Sequence, residues 1–394
     1  MSQELLTPNE CEIKYWAPSV RAIERLGTHK PERIRQIYLS APNDEFSLRM
    51  RRTTAPDGNQ AFEATLKTRG QTLPNGEIQR FELPVTISPA TFAFYDQQKL
   101  PTINKTRLNY GLGLTVDLID GVDHPLVELE NQSNVTFEQA AAIALVRQYL
   151  DAEFTPVTDG SAGDECIAWE TSGQIPPAAP TVTADDITLP LRQSEIRPTI
   201  DRPYIIAISG RSGSGKTTLA RQVAQILRQD FGDVPIISTD DYNRGATFLN
   251  DYLAGRQPNY DLPALFDTAT LARELSQRKL AQAPIPRHSF NWGNQEPNAI
   301  EPSDTLSPII IVEGIFANSP DLANLIDARY DLPTSVATCV GRRIARSLNG
   351  EQLGGMPALD EQLRYLVEIA EPTWLDRQNS TPALKGVGHE RVCR

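Results

Sequence analysis

Hydrophobic and polar residues alternate through the first 130 positions in short runs: IRQIYLS, FSLRMRR, FEATLKT, LTVDLID and PLVELE, separated by PDGN, LPNGE and DGVDH. Alternation with a period of two, interrupted by turn residues at this spacing, predicts antiparallel strands. Residues 136–150 change period: Ala142, Leu145, Val146 and Tyr149 fall on one helical stripe, and Thr136 with Gln139 forms a capping-box pattern at its start. From residue 204 the pattern changes again. YIIAISG, VPIIST and PIIIVEG are short, almost wholly apolar runs, and LARQVAQILRQDF carries Leu219, Val223, Ile226 and Leu227 on one stripe. Apolar strands alternating with helices predict a parallel sheet covered on both faces. The expected fold is therefore an α+β, antiparallel β-rich N-terminal domain followed by an α/β domain.

Between these halves lies a stretch without either period, including DGSAGDE and PPAAPTVTADD. Residues 151–200 hold 2 Lys/Arg against 9 Asp/Glu, a large part of the chain's net charge of -12. This predicts domains at 1–155 and 201–394 joined by an acidic Pro/Ala-rich linker at 156–200. Trp169 and Leu189–Leu191 are the positions that would dock if the stretch instead belonged to a domain.

At 394 residues and 40% hydrophobic, the chain is long enough for two or three real cores. Four scattered cysteines without a C-x-x-C pair argue against structural zinc and against a disulfide scaffold. The start MSQELLTPNE has no basic, apolar leader, and the longest apolar runs fall far short of a membrane span. A cytoplasmic protein with no membrane or nucleic-acid partner is expected, because an acidic chain repels polyanions except at a local basic site.

One such site is unmistakable. Gly210, Arg211, Ser212, Gly213, Ser214, Gly215, Lys216, Thr217 and Thr218 form a complete G-x-x-x-x-G-K-[ST] motif between a strand and a helix. In that setting backbone N–H groups and the helix N-terminus bind phosphate, Lys216 reaches the β/γ-phosphates, and Thr217 ligates Mg²⁺. Asp240 and Asp241 follow one predicted strand and Glu313 another, at the strand ends where open parallel sheets collect ligand groups.

Over about residues 202–376 the chain resembles the uridine kinase and phosphoribulokinase branch of P-loop kinases. The resemblance is carried by ISGRSGSGKTT, STDDYNR, NYDLPALFD, IIVEGIFA and VGRRIARS. It implies Asp240 as the base that accepts the acceptor hydroxyl's proton, Lys216, Thr217 and Glu313 for ATP and Mg²⁺, and Asp261, Arg287 and His288 for the acceptor. It also implies Arg343 and Arg346 as clamps on the transferring phosphate. The family's lid continues with an Asp after its last Arg, whereas here Arg346 is followed by Ser347 and LNGEQLGG. The tail beyond Arg377 shows no closing strand.

The first half carries a second pattern: Glu10-x-Glu12-x-Lys14, Arg49-x-Arg51, Arg80-x-Glu82, Lys105-x-Arg107 and Glu128-x-Glu130. In a strand, residues i and i+2 share a face, so these charges stand together while Ile13, Met50, Phe81 and Leu129 point the other way. One such pair describes a solvated face. Five on successive strands predict a closed barrel whose interior grips a polyanion with Lys/Arg and a hard divalent cation with carboxylates.

These segments, beginning with ECEIK and continuing through IRQIYL, LRMR, ATLK, R-x-E at Arg80 and Glu82, INKTR, TVDLIDG and LVELE, resemble the CYTH superfamily of triphosphate tunnel metalloenzymes and class IV adenylyl cyclases. The resemblance implies phosphate contacts from Lys14, Arg49, Arg51, Lys67, Arg80, Lys105 and Arg107. It implies Mg²⁺ or Mn²⁺ ligands at Glu10, Glu12, Glu128 and Glu130, with Glu82 and Asp117 assisting metal or water. Pro84 stands where the family pattern R-x-E-x-E often has its second acid.

Together these features predict a two-domain enzyme acting on small phosphates and nucleotides. The tunnel would hydrolyse tripolyphosphate, pyrophosphate or a nucleoside triphosphate, and the P-loop domain would use ATP to phosphorylate a nucleoside-like hydroxyl. Two competing readings make the P-loop domain a non-catalytic ATP-binding regulator, or the tunnel a polyphosphate sensor or cyclase.

Overall fold

A computed structural model describes residues 8–27, 29–130, 136–157, 163–176, 182–193, 197–255, 258–348 and 358–380. Residues 349–357, which hold most of the LNGEQLGG stretch after Arg346, and the tail from 381 lie outside the described residues. The chain divides into two compact units, Met1–Ala178 with Ser335–Glu368, and Ala179–Thr334 with Ile369–Arg394.

The first unit is built on an antiparallel sheet. Its strands are β1 (Glu10–Trp16), β2 (Lys30–Tyr38), β3 (Phe46–Thr54), β4 (Gln60–Thr68), β5 (Gln71–Thr72), β6 (Ile78–Arg80), β7 (Glu82–Thr86), β8 (Thr102–Gly111), β9 (Leu114–Ile119), β10 (Leu126–Glu130) and β11 (Thr155–Pro156). The spatial order is β5-β6-β1-β10-β9-β8-β2-β3-β4-β7, with β11 beside β1. The two edges of this path are one piece of chain: β6 pairs Arg80 with Glu10 of β1, and β7 pairs Glu82 with Lys67 of β4. Only Phe81 separates them, its N–H donating to Thr68 Oγ1 and its carbonyl accepting from the Thr68 N–H, both at 3.0 Å. The sheet thereby closes into a tunnel, the arrangement that removes exposed strand edges.

Alternation puts the charged residues inside and the apolar ones outside. On β1, β9 and β10 the outer residues Ile13, Tyr15, Val116, Val127 and Leu129 pack with Leu150 and Phe154. Here α1 (Val20–Ile23) contributes Ile23, and α3 (Phe137–Glu153) carries the predicted Thr136/Gln139 capping box. A further helix, α2 (Pro89–Asp96), packs on β3.

Residues 156–200, expected as a linker, contain two helices. The first, α4 (Asp164–Ser172), belongs to the tunnel unit, and the second, α5 (Ala184–Gln193), belongs to the other. Each has acids in its first turn, where the helix dipole favours them, and a few apolar residues that find a partner. Ile167 and Ala168 join Tyr38, Ile103, Ile119 and Leu126, while Ile187 and Leu191 join the core of the second unit.

That second unit has a four-stranded parallel sheet in the order β13-β16-β12-β17, formed by β12 (Tyr204–Gly210), β13 (Ile236–Ser238), β16 (Ile309–Glu313) and β17 (Ala328–Leu332). The small hairpin of β14 (Phe290–Asn291) and β15 (Glu296–Pro297) lies apart from it. On one face α6 (Lys216–Phe231) buries Leu219, Val223 and Leu227 against Ile206, Ile208, Ile309 and Ile311. On the other, α8 (Thr268–Ala281) buries Leu271 and Leu275 against Ile205, Ala207, Ile310 and Val312. A third helix, α7 (Gly245–Leu253), packs Leu249 and Leu253 with Phe266 and Phe316.

The segment 335–368 carries α9 (Val336–Leu348) and α10 (Leu359–Tyr365), and it groups with the tunnel. In that unit α9 lies on β3 and β4, and α10 lies on β7. Arg342 Nε donates to Glu45 Oε2 at 2.7 Å, the Glu45 N–H donates to Thr338 Oγ1, and Tyr95 OH donates to the Val367 carbonyl at 2.7 Å. The last helix, α11 (Glu371–Ser380), returns to the second unit. Among the described residues no helix is long and apolar enough to cross a membrane.

Candidate functional sites

Both candidate sites follow from the strand geometry just described. In the tunnel, register fixes which charges meet: Lys14 lies opposite Glu128, Glu12 opposite Glu130, Glu10 opposite Arg80, Lys67 opposite Glu82 and Arg107 opposite Asp117. Every base that the sequence assigned to phosphate, Lys14, Arg49, Arg51, Lys67, Arg80, Lys105 and Arg107, lies on one of these strands.

The carboxylates divide into two groups. Glu10 and Glu82 share Lys67, whose Nζ is 2.8 Å from Glu10 Oε1 and 3.1 Å from Glu82 Oε1, and Arg80 bridges Glu10 and Glu12. Asp117 and Glu128 share Arg107, at 2.6 Å and 2.5 Å, while Lys14 Nζ donates to Glu128 Oε1 at 2.5 Å. Lys105 Nζ lies 2.6 Å from Asp117 Oδ2. Each buried charge has a counter-charge, the condition under which ionised groups persist in an interior.

Electrostatics separates the two acids that share Lys67. Burial alone would raise Glu10, but Lys67 and Arg80 outweigh it and hold the carboxyl well below its usual range. Burial raises Glu82, and hydrogen bonding to Glu10 adds to this against the pull of Lys67. Burial and the repulsion of Arg80 and Arg49 lower Lys67 to about 8. Glu130 is raised by burial and by the charges of Glu10, Glu82 and Glu12. Glu10 and Glu12 share a face of β1 and Glu12 pairs with Glu130 of β10, hard oxygen donors of the kind that suit Mg²⁺ or Mn²⁺. Among the described residues, however, the acids whose oxygens lie within 4.8 Å of one another are Asp117, Glu128 and Asp164.

Three groups of this interior escaped the sequence reading. Gln36 accepts from Arg51 Nε at 3.2 Å and donates to Tyr38 OH at 2.7 Å. Glu63 lies 3.7 Å from Arg51 and accepts from Thr65 Oγ1, the residue paired with Pro84, so an acid stands one strand away from the position where Pro84 supplies none. Asp164 reaches in from α4: its Oδ2 accepts from Lys105 Nζ at 2.5 Å and from Gln36 Nε2 at 3.1 Å. The period-two rule finds Gln36 and Glu63, which share faces with Tyr38 and Thr65. Asp164 has no such signal, because it comes from outside the sheet.

In the second unit the phosphate loop joins β12 to α6. Gly213 and Gly215 have φ of 88° and 97°, a region in which a side chain is strained, and Gly215 is the N-cap of α6. Lys216 Nζ donates to the Arg211 carbonyl at 2.7 Å, curling the side chain over the loop. Thr217 Oγ1 donates to Glu313 Oε1 at 3.2 Å. Gly314 has φ 139°, and a Cβ there would run into Thr239, which precedes Asp240. This close approach brings the ends of β13 and β16 together. Burial and then Asp240 raise Glu313. A hydroxyl and two like-charged carboxylates are hard donors that suit Mg²⁺.

Arg211 is already engaged: its Nε and Nη2 each lie 3.0 Å from Glu371 of α11, in bidentate geometry. The residues assigned to the acceptor do not all meet. Arg287 and His288 line a cavity of about 490 Å³ together with Asp241, Tyr242 and Glu301. His288 stacks on Tyr242 at 4.2 Å, and Glu274 ties the two rings, accepting from Tyr242 OH at 2.7 Å and meeting His288 Nε2 at 3.0 Å. Asp261 does not line that cavity, and its charge is felt instead at Glu371 and Arg377. Arg343 and Arg346 lie on α9, in the tunnel unit.

Comparison with known proteins finds a family in each half of the chain, the kinase match running on into α9, which groups with the tunnel. Residues 205–351 match the phosphoribulokinase/uridine kinase family, and residues 9–150 match the CYTH domain. A uridine kinase of Alkaliphilus metalliredigens is 34% identical over 154 residues, covering 38% of this chain and 70% of the relative. One from Ureaplasma urealyticum is 32% identical over 197 residues, covering 48% of this chain and 91% of the relative. Among solved structures, an inorganic triphosphatase aligns at 22% identity over 43% of this chain and 97% of its own, with a TM-score of 0.25. The chain thus belongs to the phosphoribulokinase/uridine kinase family through its P-loop unit, and it carries a CYTH domain ahead of it.

Proposed function

We propose that the protein is a two-site phosphate enzyme, with metal-dependent hydrolysis of tripolyphosphate, pyrophosphate or a nucleoside triphosphate in the tunnel and ATP-dependent phosphorylation of a nucleoside-like hydroxyl in the P-loop unit. The observation that carries the reading is the tunnel's inner face, where seven Lys/Arg side chains alternate with carboxylates on strands of one closed sheet.

In the tunnel, Arg49, Arg51, Arg80 and Arg107 orient a phosphate chain and neutralise charge that develops on the transferred group, with Lys14, Lys67 and Lys105 beside them. Glu82, raised by burial, positions the attacking water and takes its proton. A divalent cation held by Glu10, Glu12 and Glu130 would supply Lewis-acid polarisation of a phosphoryl oxygen.

In the P-loop unit, Lys216 and the loop N–H groups hold the β/γ-phosphates, Asp240 takes the acceptor's proton, and Thr217 with Glu313 would hold Mg²⁺. Arg287 and His288, which share a cavity wall with Asp241, the residue after Asp240, are the candidate acceptor contacts. The kinase half is tested by ATP-dependent phosphorylation of uridine and cytidine, compared with Asp240→Asn. No product above that variant would leave the P-loop unit as an ATP-binding regulator. Formation of cyclic AMP from ATP would make the tunnel a cyclase.

A further inference from the structure

Asp164 enters the tunnel from outside the barrel. It opens α4, beyond the residues matched by the CYTH domain, and the helix is fixed from several sides. Ile167 and Ala168 pack on the tunnel wall, Trp169 Nε1 donates to the Ser40 carbonyl at 2.8 Å, and Glu165 pairs with Arg69. So held, the Asp164 side chain is only 8% exposed. Its Oδ2 is satisfied by Lys105 and Gln36, but its Oδ1 is buried with no hydrogen-bond partner.

An orphaned carboxylate oxygen in an interior implies a missing partner. Oxygens of Asp164, Asp117 and Glu128 lie within 4.8 Å of one another, three hard donors brought from a helix and two strands. Three bases now face these three acids: Lys14 pairs with Glu128, Lys105 with Asp117 and Asp164, and Arg107 with Asp117 and Glu128. A phosphate chain in the tunnel would draw those bases to its own oxygens and leave the carboxylates uncompensated, which calls for a cation at the same place.

We infer that Asp164, through Oδ1, is a ligand of a divalent cation shared with Asp117 and Glu128, and that this cation binds together with the phosphate chain. The inference rests on the tunnel being a metal–phosphate site and adds a ligand that the CYTH strands do not contain. It also gives the acidic stretch at 156–200 a chemical role.

The test is Mn²⁺ binding, read by the loss of the free Mn²⁺ resonance signal, in the full chain carrying Thr217→Ala to silence the P-loop site. It is run with and without saturating methylenediphosphonate, a non-hydrolysable diphosphate. The diphosphonate should tighten Mn²⁺ binding, and Asp164→Asn should weaken it at least about tenfold or remove one bound ion. Glu170→Gln, an exposed change on the same helix, should match the parent. Parent-like binding in Asp164→Asn overturns the inference. Should Asp164→Asn not fold, Fe²⁺-directed cleavage of the wild-type chain decides: cuts near residues 117, 128 and 164 support the site, and cuts near residues 10–12 without any at 164 overturn it. If the parent hydrolyses tripolyphosphate and Asp164→Asn binds Mn²⁺ normally, this inference alone fails. If Mn²⁺ binding depends on Asp164 but no phosphate is hydrolysed, the hydrolase reading fails and the cation site stands.

Discussion

The ammonium of Lys105 lies 2.6 Å from Asp117 Oδ2, and neither side chain is exposed to solvent. Loss of Lys105 would leave Asp117 with Arg107 alone and Asp164 with only the Gln36 amide, in a place that water does not reach, so the change is poorly tolerated. Lys105→Met should therefore destabilise the tunnel unit by about 3–5 kcal/mol. Hydrogen exchange at β8 and β9 amides in increasing denaturant would report it. An unchanged exchange profile would mean that the pair is solvated.

Lys67 gives the tunnel a pH dependence. Its folded value of about 8 lies below the ordinary 10.5, because burial, Arg80 and Arg49 all disfavour its charge. Between those values the folded state binds fewer protons than the unfolded chain, so this group alone adds stability as pH rises through the window. Phosphate binding follows the opposite course. Methylenediphosphonate affinity should fall as pH rises above 8 and Lys67 loses its charge, and Lys67→Arg should flatten that limb. A wild-type profile already flat from pH 7 to 10 would contradict it.

The segment carrying Arg342, Arg343 and Arg346 is part of the tunnel unit because α9 is seated on β3. Gly341 permits the contact: a Cβ there would run into the Phe46 ring. Gly341→Ala should cost about 1–3 kcal/mol through overpacking, and Phe46→Leu in the same chain should recover part of it. Thermal unfolding of the two single variants and the double variant measures the coupling. Additive losses would show that the two residues do not touch.

Much of this was legible from the pattern of residues. The period-two charges at Glu10, Glu12 and Lys14, and at Lys105 and Arg107, predict an ionic tunnel face because a strand offers no other way to group them. The phosphate loop was legible because its glycines and lysine act locally. What the pattern did not reveal depends on contacts between distant segments. The 156–200 stretch lacks long periodicity, yet Ile167, Ala168, Ile187 and Leu191 suffice to dock two short helices on preformed surfaces. The grouping of 335–368 with the tunnel likewise depends on the apolar outer faces of β3, β4 and β7. The resemblance assigns Asp261, Arg287 and His288 together to the acceptor, but α8 separates Asp261 from the other two along the chain, and only Arg287 and His288 line the cavity.

The two chemistries should separate by mutation. Lys216→Ala removes the cation that reaches the β/γ-phosphates, so nucleoside phosphorylation should fall at least about a hundredfold, while phosphate release in the tunnel persists. A parallel loss of both would place all of the chemistry at the P-loop.

The most direct measurement is phosphate release from tripolyphosphate and pyrophosphate with Mg²⁺ or Mn²⁺, without ATP, for wild type, Glu12→Ala and Lys216→Ala. The tunnel account predicts release that needs the metal, falls at least about a hundredfold in Glu12→Ala, and survives in Lys216→Ala. Release that ignores Glu12, or that disappears only with Lys216, would contradict it.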